Sequence, residues 1–202
     1  MNHKQQQVVI IHGATTFDGY EDYLESLKTT EIDPERLKPR PDWKVWLPSE
    51  LGEGYEVLAP RMPNATYARY EEWRVWFERI LTILNEDPIL IGHSLGGIFL
   101  AKYLSENTIQ KTIKATILMA APYDDEKEES LGDFKLPTLL QGLAEQAGRI
   151  FLLQSRDDPV VPFDQVERYQ QHLPTAKTMI FEDREHFNQA SLPELAELIK
   201  SL

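Results

Sequence analysis

Ile89-Leu90-Ile91-Gly92-His93-Ser94-Leu95-Gly96-Gly97 is the stretch whose reading decides the fold. Ile89–Ile91 is a short apolar run without polar alternation, which predicts a strand buried on both faces. Leu95–Leu104 has helical spacing. The chain therefore passes from strand to helix through Gly92-His93-Ser94-Leu95-Gly96. So tight a turn holds the central residue in strained backbone geometry, and glycine at both flanking offsets removes the Cβ atoms that would collide. The Ser94 oxygen then stands clear at a helix N-terminus, where the Leu95 N–H can bind a developing oxyanion. Glycine accounts for only 10 of the 202 residues, so a chance match in this context is uncommon. The alternative is a glycine-rich turn with a serine that merely caps the helix.

Outward from this turn, five further apolar runs are bounded by turn residues: Val8–Ile11, Tyr55–Ala59, Ala115–Met119, Ile150–Leu153 and Thr178–Phe181. Helical spacing lies between most of them. Tyr70–Leu84 places Trp73, Trp76, Phe77, Ile80, Leu81 and Leu84 on one stripe. Leu139–Ala147, Phe163–Leu173 and Leu192–Leu202 are the other helix candidates, with Pro193 suited to a first turn. Strand alternating with helix predicts an α/β fold: a mostly parallel six-stranded sheet with helices on both faces. Its ligand site falls beyond the carboxyl ends of the strands.

Two segments break the alternation. Thr15 to Asp42 is charged and punctuated by proline, and residues 122–136 form an acidic loop. Both leave the sheet at its carboxyl edge, as solvated loops or as a lid over the site.

A serine at its own pKa needs a base, and the base needs an orienting acid. On a sheet of this kind they follow the serine in the chain order acid, then histidine. Asp158 follows the fifth run in Asp157-Asp158-Pro159-Val160-Val161-Pro162, and His186 follows the sixth in Glu185-His186-Phe187. Asp157 and Asp183 compete for the acid; the Asp-Pro pair and the apolar run behind it favour Asp158. Of the other histidines, His3 lies in a polar tail and His172 ends a polar helix. His12 and His93 flank the site and are expected to shape it. A second oxyanion donor is expected from His12-Gly13-Ala14, with the Ala14 N–H favoured over that of Thr15.

Composition sets the remaining bounds. The chain length allows one domain, residues 1–202, with a sizeable core. The net charge of -12 argues against nucleic acid as a partner. There is no cysteine, which removes disulfides, thiolate metal sites and a cysteine nucleophile. No metal-ligand spacing or cofactor motif appears, so no cofactor is expected. Val8–Ile11 is too short for a signal-peptide core or a membrane span, so a cytoplasmic location without membrane contact is expected.

With these residues laid out, the chain resembles the small α/β-hydrolase family of serine hydrolases that includes retinoblastoma-binding protein nine and YdeN-type proteins. The resemblance rests on Val8-Val9-Ile10-Ile11-His12-Gly13, Trp43-Lys44-Val45-Trp46-Leu47, Arg61-Met62-Pro63-Asn64, the Gly-His-Ser turn, Asp157-Asp158-Pro159 and His186-Phe187. It implies a minimal fold with little or no cap, a triad of Ser94, Asp158 and His186, and small-molecule acyl substrates such as esters. Two departures stand out. Residues 16–41 read as an insertion near the site, so that the tryptophan-bearing helix starts near Trp43. Glu185 stands where the family leads one to expect glycine. A catalytically silent binding module, an acyltransferase and an aminoacyl-amide hydrolase remain the competing readings.

Overall fold

The computed structural model describes residues 4–124 and 130–202. Its six strands are β1 (Gln6–Ile11), β2 (Tyr55–Leu58), β3 (Ile89–His93), β4 (Ala115–Met119), β5 (Arg149–Ser155) and β6 (Lys177–Phe181). Each grows from one of the apolar runs, with bounds moved by no more than two residues. The helices are α1 (Tyr20–Thr29), α2 (Trp43–Leu51), α3 (Tyr70–Ile83), α4 (Leu95–Glu106), α5 (Gln141–Gln146), α6 (Asp164–His172) and α7 (Pro193–Lys200). The sheet order is β2-β1-β3-β4-β5-β6. Every pairing in it is parallel.

Alternation along the strands builds two cores. Val9, Ile11 and Leu90 face the side covered by Trp73 and Phe77 of α3, Phe99 of α4 and Tyr169 of α6. Val8, Ile10, Ile89 and Ile91 face the side covered by Trp43 and Leu47 of α2 and by Leu195 and Ile199 of α7. The chain leaves β1 to build β2 on one side and returns to place β3 on the other. The carboxyl ends of β1 and β3 therefore flank the switch point, where open parallel sheets form their ligand crevice.

Three details depart from the sequence reading. β2 and β6 are edge strands and are only partly buried, because each has a neighbour on one side alone. Trp76 does not join the buried stripe of α3 and remains partly exposed under the Arg79 guanidinium. The charged stretch after β1 contains α1, which has no buried residue; its short apolar stripe, Tyr20, Tyr23, Leu24 and Leu27, lies among charged neighbours. Glu21 and Asp22 in its first turn and Lys28 in its last match the helix dipole.

Asp125, Glu126, Glu128 and Glu129 of the acidic loop lie outside the described residues. Among the described residues, no helix is long and apolar enough to cross a membrane.

Candidate active site

The turn after β3 sets the site. Ser94 has φ 55° and ψ -124°, a conformation that costs an L-residue energy and is held by its surroundings. The Ser94 N–H donates to the Met119 carbonyl at 2.9 Å, and its carbonyl accepts from the Gly97 N–H at 2.8 Å. The side chain makes no capping hydrogen bond to α4, so the reading of Ser94 as a helix cap does not hold. The flanking glycines have steric causes. A Cβ on Gly92 would lie 2.3 Å from the Gly96 carbonyl oxygen, and one on Gly96 would lie 2.2 Å from that of Ile11. Gly13, after β1, packs so closely that its Cβ would meet the Ser94 Cβ at 2.9 Å.

A cleft of about 1020 Å³ opens over this turn, with Ser94, Leu95, Gly13, Ala14 and His186 on its wall. Behind His186 stands Asp158. The His186 Nδ1 lies 3.0 and 3.1 Å from the two Asp158 carboxylate oxygens. The Asp158 side chain is fully buried. Its Oδ1 also accepts from the N–H groups of Val160 and Val161 at 2.8 and 3.0 Å, the turn that the Asp-Pro sequence sets up. Gln154 Nε2 donates to Oδ2 at 3.3 Å and to the Val161 carbonyl at 2.9 Å. Four donors thus hold one carboxylate and fix its orientation toward the imidazole.

The competing acids sit elsewhere. Asp157 accepts from the Ser155 hydroxyl at 2.5 Å and from the Glu185 N–H at 2.9 Å. That hydroxyl bond, ahead of the backbone donors, holds the Asp157 carboxyl below its ordinary range. Asp183 pairs with Arg184 at the surface.

The loop carrying His186 is fixed from several directions. Trp43 Nε1 donates to the Phe187 carbonyl at 2.9 Å, and the Trp43 N–H donates to that of Gln189 at 3.1 Å. The Arg184 N–H donates to the Ser155 hydroxyl at 3.0 Å. His93 is buried, and its Nε2–H donates to the His186 carbonyl at 2.8 Å, with the two rings 5.0 Å apart. Burial, reinforced by the nearby His186, pushes the His93 pKa well below the ordinary imidazole value. His93 stays neutral when folded, whereas the unfolded chain takes up a proton below about pH 6.5. Stability therefore falls as pH drops through and below that point, by up to about 1.4 kcal/mol per pH unit from this group. Urea unfolding of the native protein and of His93→Gln, which keeps a donor at the Nε2 position, measures it. The variant is expected to lose that part of the slope between about pH 5 and 6.5.

Glu185 adopts φ 44°, in the left-handed region that glycine occupies without cost. This gives the glycine expected there a backbone reason. Glu185→Gly is expected to raise stability by about 1 kcal/mol and Tm by roughly 2–4 °C, as read by thermal unfolding. An unchanged or lower Tm would contradict it.

The two expected oxyanion donors flank the serine, and neither the Leu95 nor the Ala14 N–H has a hydrogen-bond acceptor among the described residues. The alternative, Thr15, is committed: its N–H donates to the Ala65 carbonyl at 2.9 Å. His12 Nε2 accepts from the Met62 N–H at 2.9 Å, and its Nδ1 lies 2.7 Å from the Gly13 carbonyl. Sequence reasoning passed over Gln154 and gave Ser155 no role beyond its place just after the fifth run; the signal for both is polarity at the end of the apolar run Ile150–Leu153.

The stretch after β1 forms part of the cleft wall through Thr16, Phe17, Asp18, Asp22 and Ser26. It is tied down on both sides. Thr16 donates to the Ser130 carbonyl at 2.7 Å, Ser130 donates to Asp18 at 2.6 Å, and the Tyr23 ring stacks on Tyr67 at 5.1 Å.

A six-stranded parallel sheet, helices on both faces and a strained serine at the switch point define an α/β-hydrolase fold. Residues 38–198 match the family model described as serine hydrolase. The chain is 30% identical to the rat (Rattus norvegicus) serine hydrolase RBBP9 over 165 residues, 79% of this chain and 86% of that one. The chain belongs to the serine hydrolase family. The crystal structure of the ydeN gene product from B. subtilis covers 98% of both chains, with a TM-score of 0.78 and 23% identity. A thioesterase domain from the curacin biosynthetic pathway shares the fold at 13% identity and a TM-score of 0.66, over 98% of this chain and 92% of that one.

Proposed function

We propose that the protein hydrolyses small acyl esters through an acyl-enzyme on Ser94. The observation that carries this reading is the His186 Nδ1 seated on the buried Asp158 carboxylate, in the cleft that the uncapped Ser94 side chain also lines. Asp158 accepts the Nδ1–H, which leaves the Nε2 lone pair of His186 free to take the Ser94 proton as Oγ attacks the acyl carbon. The carbonyl oxygen becomes an oxyanion, bound by the N–H groups of Leu95 and Ala14. Collapse breaks the bond to the alcohol, which leaves with the proton from His186. Water then repeats the sequence on the acyl-enzyme, returning the acid and free Ser94.

Residues 16–41, as an insertion within a single domain, shape access by supplying one wall of the cleft. The test is hydrolysis of p-nitrophenyl esters of increasing acyl length, followed from the first turnover. A burst stoichiometric with enzyme is expected; no turnover with any chain length would overturn the reading. Asp18 and Asp22 on the cleft wall favour a second reading, in which the acyl group carries an amine. Matched ester and aminoacyl-amide substrates separate the two.

A further inference from the structure

We infer that His12 is the positioning residue of the oxyanion site, setting the orientation of the peptide that carries the Ala14 N–H. The inference rests on the reading just proposed, in which that N–H receives the oxyanion. It begins with hydrogen-bond bookkeeping on one ring. A backbone N–H can only donate, so the His12 Nε2 that receives the Met62 N–H at 2.9 Å carries no proton. The ring proton is then on Nδ1, which donates to the Gly13 carbonyl at 2.7 Å. Both nitrogens are committed, and the tautomer is fixed. The ring itself is held edge-on against Trp73, with centroids 5.7 Å apart.

The Gly13 carbonyl and the Ala14 N–H belong to one planar trans peptide, and they point in opposite directions. Fixing the carbonyl on the His12 side fixes the N–H on the other. The peptide needs this restraint because Gly13 must lack a Cβ to lie against Ser94, and glycine is the residue least able to hold its own backbone dihedrals. His12 thus restores to the loop the rigidity that Gly13 removes. Through Met62 it also ties the peptide to the segment after β2, whose Ala59 and Arg61 line the same cleft.

The test uses three variants chosen by where their polar atoms fall. His12→Asn keeps a donor at the Nδ1 position and loses the acceptor for Met62. His12→Gln keeps the acceptor and loses the donor. His12→Phe keeps the ring against Trp73 and loses both. Each is assayed for kcat and KM on p-nitrophenyl butyrate and for inhibition by an alkyl trifluoromethyl ketone. Ser94 adds to that ketone, its proton passing to His186, to leave a hemiketal oxyanion in the site. Thermal unfolding is measured alongside.

His12→Gln and His12→Phe are expected to lose about tenfold or more in kcat, short of the ~10²–10³ lost when a donor is deleted outright. KM should hold, and ketone affinity should fall by the same factor as kcat. His12→Asn should stay within about threefold of the native protein on both. A purely structural role would lower Tm in all three without changing the ratio of ketone affinity to KM, and that result overturns the inference. So does a His12→Asn variant as impaired as His12→Gln. If the native protein shows neither burst nor ketone inhibition, the proposed reaction itself fails, which is a distinguishable outcome.

Discussion

Ser94→Ala is expected to reduce kcat for ester hydrolysis by about 10⁴- to 10⁶-fold and to abolish the burst. Removing Oγ deletes the atom that forms the acyl-enzyme in the proposed reaction. The oxyanion donors and the cleft survive, so residual turnover above the uncatalysed rate and a KM close to native are expected. The variant should also fold. Ser94 makes no side-chain capping bond, and its backbone bonds to Met119 and Gly97 do not involve the hydroxyl. Alanine does share the strain of φ 55°, so no gain in stability is expected. Steady-state kinetics with circular dichroism on the same sample check both halves. A variant retaining a tenth of native kcat would contradict the role given to Ser94.

Asp158→Asn is expected to lose about 10⁴-fold in kcat, whereas Asp157→Ala should stay within about tenfold. The asymmetry follows from the hydrogen bonds. Oδ1 of Asp158 accepts from two backbone N–H groups, so the amide oxygen of asparagine must occupy that position. Its NH₂ group then takes the place of Oδ2 and confronts the Nδ1 of His186 and the Nε2 of Gln154 with a donor. The imidazole relieves this clash of donors by moving its proton from Nδ1 to Nε2, and a protonated Nε2 cannot accept from Ser94. Asp157 touches neither group. Its carboxylate braces the loop through Ser155 and Glu185, so Asp157→Ala should lower thermal stability more than turnover. Reversal of the two activities would reassign the acid.

The sheet was legible because parallel strands covered on both faces are continuous apolar runs, and the six runs are the six strands. The serine turn was legible for a different reason: the glycines at 92 and 96 answer steric contacts of 2.3 and 2.2 Å that no other residue tolerates. The ordering of serine, acid and histidine after the third, fifth and sixth strands then narrowed the rest. The sequence did not show how the site is braced, because bracing depends on contacts between distant segments. Trp43 reaching the Phe187 carbonyl spans 144 positions, and Thr16 reaching Ser130 spans 114. The helix α1 was missed although Tyr20, Tyr23, Leu24 and Leu27 recur at helical spacing, because that stripe is short, lies in a charged stretch and buries no residue. Glu185 looked anomalous only against the family; its backbone angle supplies the reason glycine suits that place.

The central claim is that Ser94 is a nucleophile activated by His186 on Asp158. The most direct measurement is covalent labelling of the native protein with a fluorophosphonate, followed by intact mass and peptide mapping. The account predicts one adduct per chain, located on Ser94, absent in Ser94→Ala and strongly slowed in Asp158→Asn. A folded native protein that takes no label, or carries it on another residue, would contradict it.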